Sequence, residues 1–377
     1  MPISRRAPLD GQMSWQSAFM LHLWSFFLPL LTLTYLLTGP HPIWVSLLWA
    51  MPVWVLIYVD VKSRDDKRAP PAHAPAWPFD LQLYLLTVLQ LTNHIMLGVM
   101  TSKLSIWPAA NLGQTLATVW ATIWLPGVTA GYSGIVLAHE WVHRRKKHQY
   151  FLGRLLLMFV WYEHFATEHV RGHHPRLGTP RDPATARFGE SFRDFLKRTV
   201  PAQFKSAYHL ECVRLGDPNL SLWSLRSLKN RVVQGVLAQI AITAGYVVFF
   251  GPLAAIFLLL QARSACVLLE VVNYIEHWGI ERDGKTVTHV DSWDTGSWFT
   301  LHTLVGLSRH ADHHAQASRP YQKLRYFEET PKMPSGYYGT IILALMRNDH
   351  YQELATAELK RRQRGPFRLQ AAATAAE

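Results

Sequence analysis

Residues 112–143 read LGQTLATVWATIWLPGVTAGYSGIVLAHEWVH, an apolar run that ends in two histidines. The part from 112 to 138 exceeds the ~20 mostly apolar residues that a helix needs to cross a bilayer. His139 and His143 follow directly, and a spacing of four residues places both imidazoles on one face of a helix. This stretch therefore predicts a membrane helix that offers a pair of metal ligands at its end.

Five other stretches of the chain are similarly apolar. The six predicted spans are 17–39, 42–60, 80–100, 112–138, 231–250 and 252–272. Hydrophobic residues make up 49% of the 377 residues, and Asp, Glu, Lys and Arg only 17%, well below the ~25% of ordinary soluble domains. The sequence therefore predicts an all-α integral membrane protein with six transmembrane helices and a cytoplasmic helical cap.

The basic residues are concentrated on one side of the predicted spans. The net charge is +12, and Lys and Arg cluster in the loops 61–77 and 143–230. Cytoplasmic loops of membrane proteins carry an excess of Lys and Arg. Both loops, and with six spans both termini, are therefore expected in the cytoplasm. This origin of the charge gives no reason to predict a nucleic-acid partner.

Histidine is the abundant residue that can bind a metal. Nine of the 19 histidines fall into four groups just outside the predicted spans, all on the predicted cytoplasmic side. The groups are His139 and His143; His169, His173 and His174; His277; and His310, His313 and His314. Nine imidazoles exceed the four ligands of a closed zinc site, so the pattern favours two metal ions. Imidazole suits iron, copper, zinc and nickel alike, and the residues alone leave the metal open.

Polar residues beside these histidines are expected to orient them. A metal-bound imidazole usually donates its other N–H to a carboxylate or carbonyl group. The residues predicted for this role are Glu140, Glu168, Asn273, Glu276 and Asp312. Direct metal ligation by one of the carboxylates is the alternative.

The chain is expected to form one integrated domain in four consecutive parts. Residues 1–138 hold spans one to four, and 139–230 hold cap segments with the first two histidine groups. Residues 231–272 hold spans five and six, and 273–377 hold the remaining cap with the last two groups and a tail. The Ala-rich end of that tail, 371–377, is expected to lack order.

Longer stretches around the histidines resemble the bacterial membrane alkane 1-monooxygenases of the fatty-acid desaturase/hydroxylase superfamily. The resemblance covers roughly residues 130–345, and its most specific parts are EHVRGHH and NYIEHWG. The matching stretches are HEWVH (139–143), EHVRGHH (168–174), TPRDPATARFGES (179–191), NYIEHWG (273–279), RHADHH (309–314), RPYQKLRYFE (319–328) and PSGY (334–337).

The resemblance implies a six-helix membrane fold in the bacterial inner membrane, with the metal site on the cytoplasmic side. It implies that the nine histidines hold two non-haem iron ions that activate O2, and that a hydrophobic aliphatic substrate enters from the bilayer. It also implies electrons from a separate rubredoxin or ferredoxin with its reductase. Cys212 and Cys266 form no CxxC pair, in agreement with a separate iron–sulfur donor.

Several positions depart from the family's usual pattern and keep the reaction open. Trp141 and Val142 interrupt the first histidine group, Trp278 alters the third, and Arg263 lies within span six, where its role is open. One branch of the superfamily decarboxylates medium-chain fatty acids to terminal alkenes, which requires a cation near the metals.

Arg171 and Arg309 are the candidate contacts for such a carboxylate, with Arg176 nearby. Terminal hydroxylation of medium-chain alkanes or alkyl chains is the preferred prediction, and decarboxylation is the alternative. A membrane metal transporter is the non-enzyme alternative, although transport sites lie near the bilayer midplane. Substrate chain length, regioselectivity, the identity of the electron donor and the oligomeric state stay open.

Overall fold

Six long apolar helices form a bundle in the computed structural model, which describes residues 7–104, 112–282 and 284–368. Each is long and apolar enough to cross a membrane, which confirms the six predicted spans. The spanning helices are α1 (Trp15–Thr38), α2 (Ile43–Val61), α3 (Ala76–Ser102), α4 (Leu112–Val142), α8 (Arg231–Phe250) and α9 (Pro252–His277).

The remaining helices, most of them short, form a cap at one end of this bundle. They are α5 (Lys147–Phe159), α6 (Phe165–Thr167, Glu168–His173 and His174–Arg176 in succession), α7 (Phe192–Arg214), α10 (Trp298–Thr303), α11 (His310–Ala315), α12 (Tyr337–Met346) and α13 (Asn348–Arg362). The expected disorder of 371–377 concerns residues outside the described part of the chain.

Contacts from the cap fix the direction of the first three spans. The ring of His22 at the start of α1 lies 4.8 Å from that of His302 in α10. Asp60 at the end of α2 accepts hydrogen bonds of 2.7 Å from the hydroxyls of Ser297 and Thr300. Gln82, near the start of α3, lies 3.2 Å from the hydroxyl of Tyr321. The first described residues and the loop after α2 thus lie on the cap side, as the even number of spans requires.

Two of the spans that are longer than the hydrocarbon core requires deliver ligands to the cap. Helices α4 and α9 have 31 and 26 residues, whereas ~20 residues cover the ~30 Å core. The last turns of both helices carry histidines of the site. Helix α9 continues without a break from the predicted span 252–272 to His277.

Candidate metal centre

The structure brings the nine histidines of the four groups together in one cluster between the bundle and the cap. Five of them surround one point and four surround a neighbouring point. The first set is His139, His143, His169, His174 and His313, whose ligand nitrogens all lie within 4.8 Å of one another. The second set joins His173, His277 and His314, whose ligand atoms lie within 4.8 Å of one another, to His310, whose Nε2 atom lies 2.8 Å from that of His314. The two sets adjoin, since the rings of His174 and His314 are 4.5 Å apart.

A π-helical turn explains how one short motif supplies both sets. The segment Glu168–His173 is π-helical, and a π-helix pairs residue i with residue i+5. The Nε2 atoms of His169 and His174 accordingly lie 3.0 Å apart in the first set. The ring of His173 stacks on that of His169 at 5.4 Å but lies closer to that of His277, at 4.6 Å.

Distances between the imidazole nitrogens fit metal ligation. Two ligands at ~2.1 Å from one ion are roughly 3.0–3.4 Å apart for angles between 90° and tetrahedral. The Nε2 atoms of His174 and His313 are 3.2 Å apart, and those of His277 and His314 are also 3.2 Å apart. The buried Nε2 atoms of His139, His143 and His173 have no hydrogen-bond partner among the described residues. The nitrogen lone pairs thus converge as they would around a pair of metal ions. Iron is one of the metals that imidazole binds readily.

Electrostatics keep the cap histidines in the form that binds metals. Burial, reinforced by the neighbouring imidazoles, lowers the pKa of His143, His169 and His174 well below the usual 6.5. The pKa values of His310, His313 and His314 are lowered for the same reasons. These imidazoles are therefore neutral near pH 7, and neutral imidazole is the ligand.

The second nitrogens of two histidines are held by the protein, and a carboxylate approaches a third histidine at the nitrogen that faces the cluster. The Nδ1 atom of His277 lies 2.9 Å from the backbone oxygen of Asn273. The Nδ1 atom of His173 lies 2.8 Å from Asp182 Oδ2. A carboxylate oxygen of Glu276 lies 3.1 Å from His310 Nε2. This Nε2 atom also lies 2.8 Å from that of His314, and Glu276, His277 and His310 place one ligand atom each within 4.8 Å of one another. The position of Glu276 is therefore that of a candidate metal ligand and not of a group that holds the second nitrogen of His310.

Three of the carboxylates predicted to orient histidines bind arginines instead. Glu140 pairs with Arg144 at 2.7 Å, and Glu168 with Arg176 at 3.0 Å. Asp312 accepts from Arg319 at 2.6 Å and from the backbone N–H of Arg325 at 2.8 Å. None of the three hydrogen-bonds to a ligand histidine among the described residues, since a residue adjacent to a ligand on a helix points about 100° away from it. Burial raises the pKa of Glu168 to about 7.

Sequence reasoning missed two carboxylates that the fold places near the ligands. Asp182 is buried and also accepts a 2.6 Å hydrogen bond from Thr185. Glu270 is fully buried in α9 and accepts from the hydroxyl of Tyr162 at 2.6 Å and the amide of Gln203 at 3.0 Å. Asp182 lies in the stretch TPRDPATARFGES, so that stretch already carried a signal for it.

A narrow apolar cavity reaches the cluster from inside the bundle. Its volume is about 30 Å³, roughly the room of two waters. Its inner end is formed by His139, His169, His310 and Glu276, and its walls by apolar side chains of α4 and α9 with Phe165 and Leu307. The wall from α4 includes the π-helical turn Ala130–Ile135, a feature that is frequent at functional sites.

Neither candidate for a substrate carboxylate contact lines this cavity. Arg171 pairs with Glu211 at 2.7 Å on the cap surface. Arg309 is buried and donates to the backbone oxygens of Leu324 and Arg68 at 2.5 and 2.8 Å. The geometry therefore disfavours the predicted contact for both residues. Arg263 is exposed on the surface of α9.

The two tryptophans that depart from the family pattern pack away from the cluster. Trp141 is fully buried, and its indole N–H donates to the hydroxyl of Thr87 in α3 at 2.9 Å. Trp278 is also buried and donates to the backbone oxygen of Glu190 at 3.1 Å. Both residues hold a histidine-bearing helix against its neighbours, so neither alters the ligand set.

Fold and site together define a multi-pass membrane protein with a histidine-rich centre suited to two metal ions. The fatty acid desaturase family matches residues 115–341. The chain is 32% identical over 309 residues to alkane 1-monooxygenase 1 of Alcanivorax borkumensis. This match covers 80% of this chain and 74% of that protein. It therefore belongs to the fatty acid desaturase family, among the membrane alkane monooxygenases.

Two further relatives mark the range of this similarity. The chain is 41% identical over 226 residues to alkane 1-monooxygenase 1 of Pseudomonas aeruginosa, a match that covers 58% of each chain. It is 24% identical over 298 residues to the hydroxylase component XylM of the xylene/toluene monooxygenase of Pseudomonas putida, covering 79% of this chain and 77% of that protein.

Proposed function

We propose that this protein is a di-iron oxygenase that hydroxylates the terminal carbon of medium-chain alkanes or alkyl chains. The observation that carries the proposal is the apolar cavity that ends at histidines of both sets. The relatives named alkane 1-monooxygenase support the same reaction class. The balanced reaction consumes one alkane, O2, two electrons and two protons, and yields a primary alcohol and water.

Two iron ions held by the nine histidines would supply the reduction of O2 and the oxidant for an unactivated C–H bond. The protein's own part is position and dryness. Asp182 and the backbone oxygen of Asn273 hold two imidazoles in fixed orientations. The narrow cavity leaves room for a methyl end beside His139 and His310 but little room for bulk water.

The cavity favours an uncharged chain over a fatty acid. Among the described residues that line it there is no Lys or Arg, and the one carboxylate there is Glu276. A substrate carboxylate at this position would find no Lys or Arg to pair with. Its only counter-charge would be the proposed iron ions, where it would compete with O2 for a coordination position. Hydroxylation is therefore proposed ahead of oxidative decarboxylation, and metal transport fits poorly because the ligands lie at the ends of the spans.

A product assay separates the two reactions. Purified, iron-loaded protein is incubated with an electron donor, O2 and either octane or lauric acid. The proposal expects 1-octanol from octane and little conversion of lauric acid. Formation of 1-undecene from lauric acid without 1-octanol from octane would overturn it in favour of decarboxylation.

We further propose that electrons come from a separate acidic rubredoxin or ferredoxin that docks on a basic groove of the cap. The groove is open, about 400 Å³ in size, and lined by Arg319, Lys323 and Arg325 among others. It begins directly after α11, which carries His313 and His314. Complementary charge across such a surface speeds encounter with an acidic partner.

Reversing charge in this groove should weaken the docking of the donor. Lys323→Glu with Arg325→Glu is expected to raise the KM for the carrier roughly ten-fold at low salt, because steering charges act mainly on association. Turnover with a small chemical reductant should not change. The matched control is Arg361→Glu, an exposed position on α13. If Arg361→Glu raised the KM for the carrier equally, the groove would not be the docking site.

Tyr132 separates the cavity at the metal centre from a second cavity. It contributes to both linings, and its ring centroid lies 4.5 Å from that of Tyr338. The second cavity reaches Trp24 and Phe27, which are 50% and 40% exposed on α1. We propose that substrate enters from the bilayer and that the far end of its chain lies against Tyr132.

Shortening this side chain should therefore lengthen the accepted substrate. Tyr132→Ala is expected to raise the ratio of kcat/KM for long over short alkanes roughly ten-fold or more, the range that small changes in an apolar pocket produce. Tyr132→Phe, which keeps the ring, should leave the ratio unchanged. Competition between hexane and dodecane measures it. An unchanged ratio in a folded, iron-loaded Tyr132→Ala protein would show that the chain ends elsewhere.

The multi-pass protein is proposed to reside in the bacterial inner membrane with the cap in the cytoplasm. Its support is the positive charge of the loops on the cap side, since cytoplasmic loops are enriched in Lys and Arg. The loops before α3 and between α4 and α8 both lie on that side.

A further inference from the structure

A group of large apolar side chains stands exposed on the cap next to the start of α8. Its members are Leu222, Trp223, Leu225 and Leu228, which we call the interfacial patch. Trp223 is 96% exposed and Leu225 is 86% exposed. Exposed apolar groups of this kind mark contact with a partner or a membrane.

The backbone holds the patch in this outward orientation. The hydroxyl of Ser227 is turned inwards and donates to the backbone oxygen of Leu222 at 2.8 Å. The hydroxyl of Ser224 accepts from the N–H of Arg226 at 3.2 Å, which caps the 3₁₀ turn Leu225–Lys229. The polar side chains thus satisfy the loop from within, and the apolar ones are left outside.

Contacts also tie the patch to the edge of the membrane. The side-chain amide of Gln234, in the first turn of α8, donates to the backbone oxygen of Leu228 at 3.0 Å. Asn230 caps α8 through its side-chain oxygen. Further along, α8 exposes Leu237 and Ile240 as a lipid-facing surface. The patch therefore lies within a few residues of a spanning helix and continues its apolar surface.

Cations surround the patch. Arg226 and Lys229 are exposed within the same turn, and Arg214 donates to the backbone oxygen of Lys229 at 2.8 Å. Apolar side chains flanked by Lys and Arg are the composition of segments that lie in the interface of an anionic membrane. An acidic partner protein would match the cations but not the bare indole and leucine side chains.

We infer that the interfacial patch inserts into the headgroup boundary of an anionic lipid leaflet, so that the cap is anchored to the membrane between its histidine-bearing helices. This lipid contact does not depend on the proposed oxygenase activity. Trp223 would occupy the depth at which tryptophan is enriched in membrane proteins.

Spin labels can measure the depth of the patch. The full chain is reconstituted in vesicles of phosphatidylcholine with phosphatidylglycerol, with a nitroxide attached to Trp223→Cys or, separately, to Leu225→Cys. Native Cys212 is buried and Cys266 is partly buried, and unlabelled background is checked on the parent chain. Val248→Cys on α8 is the lipid reference, and Glu353→Cys on the polar helix α13 is the water reference; the two positions are 77% and 72% exposed.

Both patch labels should be more accessible to O2 than to a water-soluble nickel chelate, as at Val248. A preference for the nickel chelate at both positions, as at Glu353, would overturn the inference. So would label–label broadening that disappears on dilution with unlabelled protein, because it would assign the patch to a second copy. Adding Lys229→Glu should make the labels shallower in anionic vesicles and not in phosphatidylcholine alone. If Lys229→Glu left the depth of the labels unchanged in anionic vesicles as well, the proposed attraction between the cations and the anionic lipid would be refuted.

Discussion

His173→Ala is expected to lose iron and activity together. His173 belongs to the set of four histidines, and its buried Nε2 atom points into the cluster without a partner. Loss of a group that merely orients a ligand costs 10–100-fold, so loss of the ligand should lower activity by more than ~100-fold. Iron content after anaerobic loading, measured alongside turnover, checks both parts.

A second histidine variant separates this effect from general damage. His350 is exposed on α13 and pairs with Glu353 at 3.0 Å, far in sequence from the ligands. His350→Ala should retain full iron and full turnover. If His173→Ala still held two irons per chain, its role as a ligand would be refuted.

Asp182→Ala should give the second-largest loss. The carboxylate holds Nδ1 of His173 at 2.8 Å. Burial opposes its ionisation, but the contact with His173 and the hydrogen bond from Thr185 outweigh burial and hold the pKa of Asp182 below its usual range. Removing an anion that orients a metal-bound imidazole typically lowers metal affinity or activity 10–100-fold.

Asp182→Asn distinguishes positioning from mere packing. The amide has nearly the same size, so the unfolding temperature of the iron-free protein should stay close to that of the parent, while iron affinity falls about ten-fold. Asp349→Ala, on the exposed start of α13, is the matched control. Unchanged iron affinity with a lower unfolding temperature would assign Asp182 a purely structural role.

Length and composition were enough to predict the membrane part of the fold. All six spans lie where apolar runs of ~20 residues predicted them, because the bilayer sets both length and polarity. The ends of the helices were harder to predict. Helix α9 runs on to His277 because buried contacts of the cap replace lipid there, and hydropathy does not register such contacts.

The nine histidines could be picked from sequence, but their division into two sets could not. An α-helical spacing would pair His169 with His173. The π-turn Glu168–His173 pairs His169 with His174 instead. A π-turn depends on the packing around it and leaves little trace in a single sequence.

The partners of the histidines depended on tertiary contacts. Glu140, Glu168 and Asp312 lie beside ligands in sequence, yet arginines bind all three. Asp182, nine residues from its histidine, is the carboxylate that reaches Nδ1. Adjacent residues of a helix point in different directions, so a carboxylate next to a histidine in sequence does not face its imidazole.

The metal content of the purified chain tests the di-iron centre most directly. The protein is loaded anaerobically with Fe(II) in zinc-free buffer, freed of loose metal, and analysed for iron and zinc per chain. Two irons per chain, both lost on changing the histidines of the two sets, is the predicted result. A single bound ion, or a chain that retains no iron under these conditions, would contradict it.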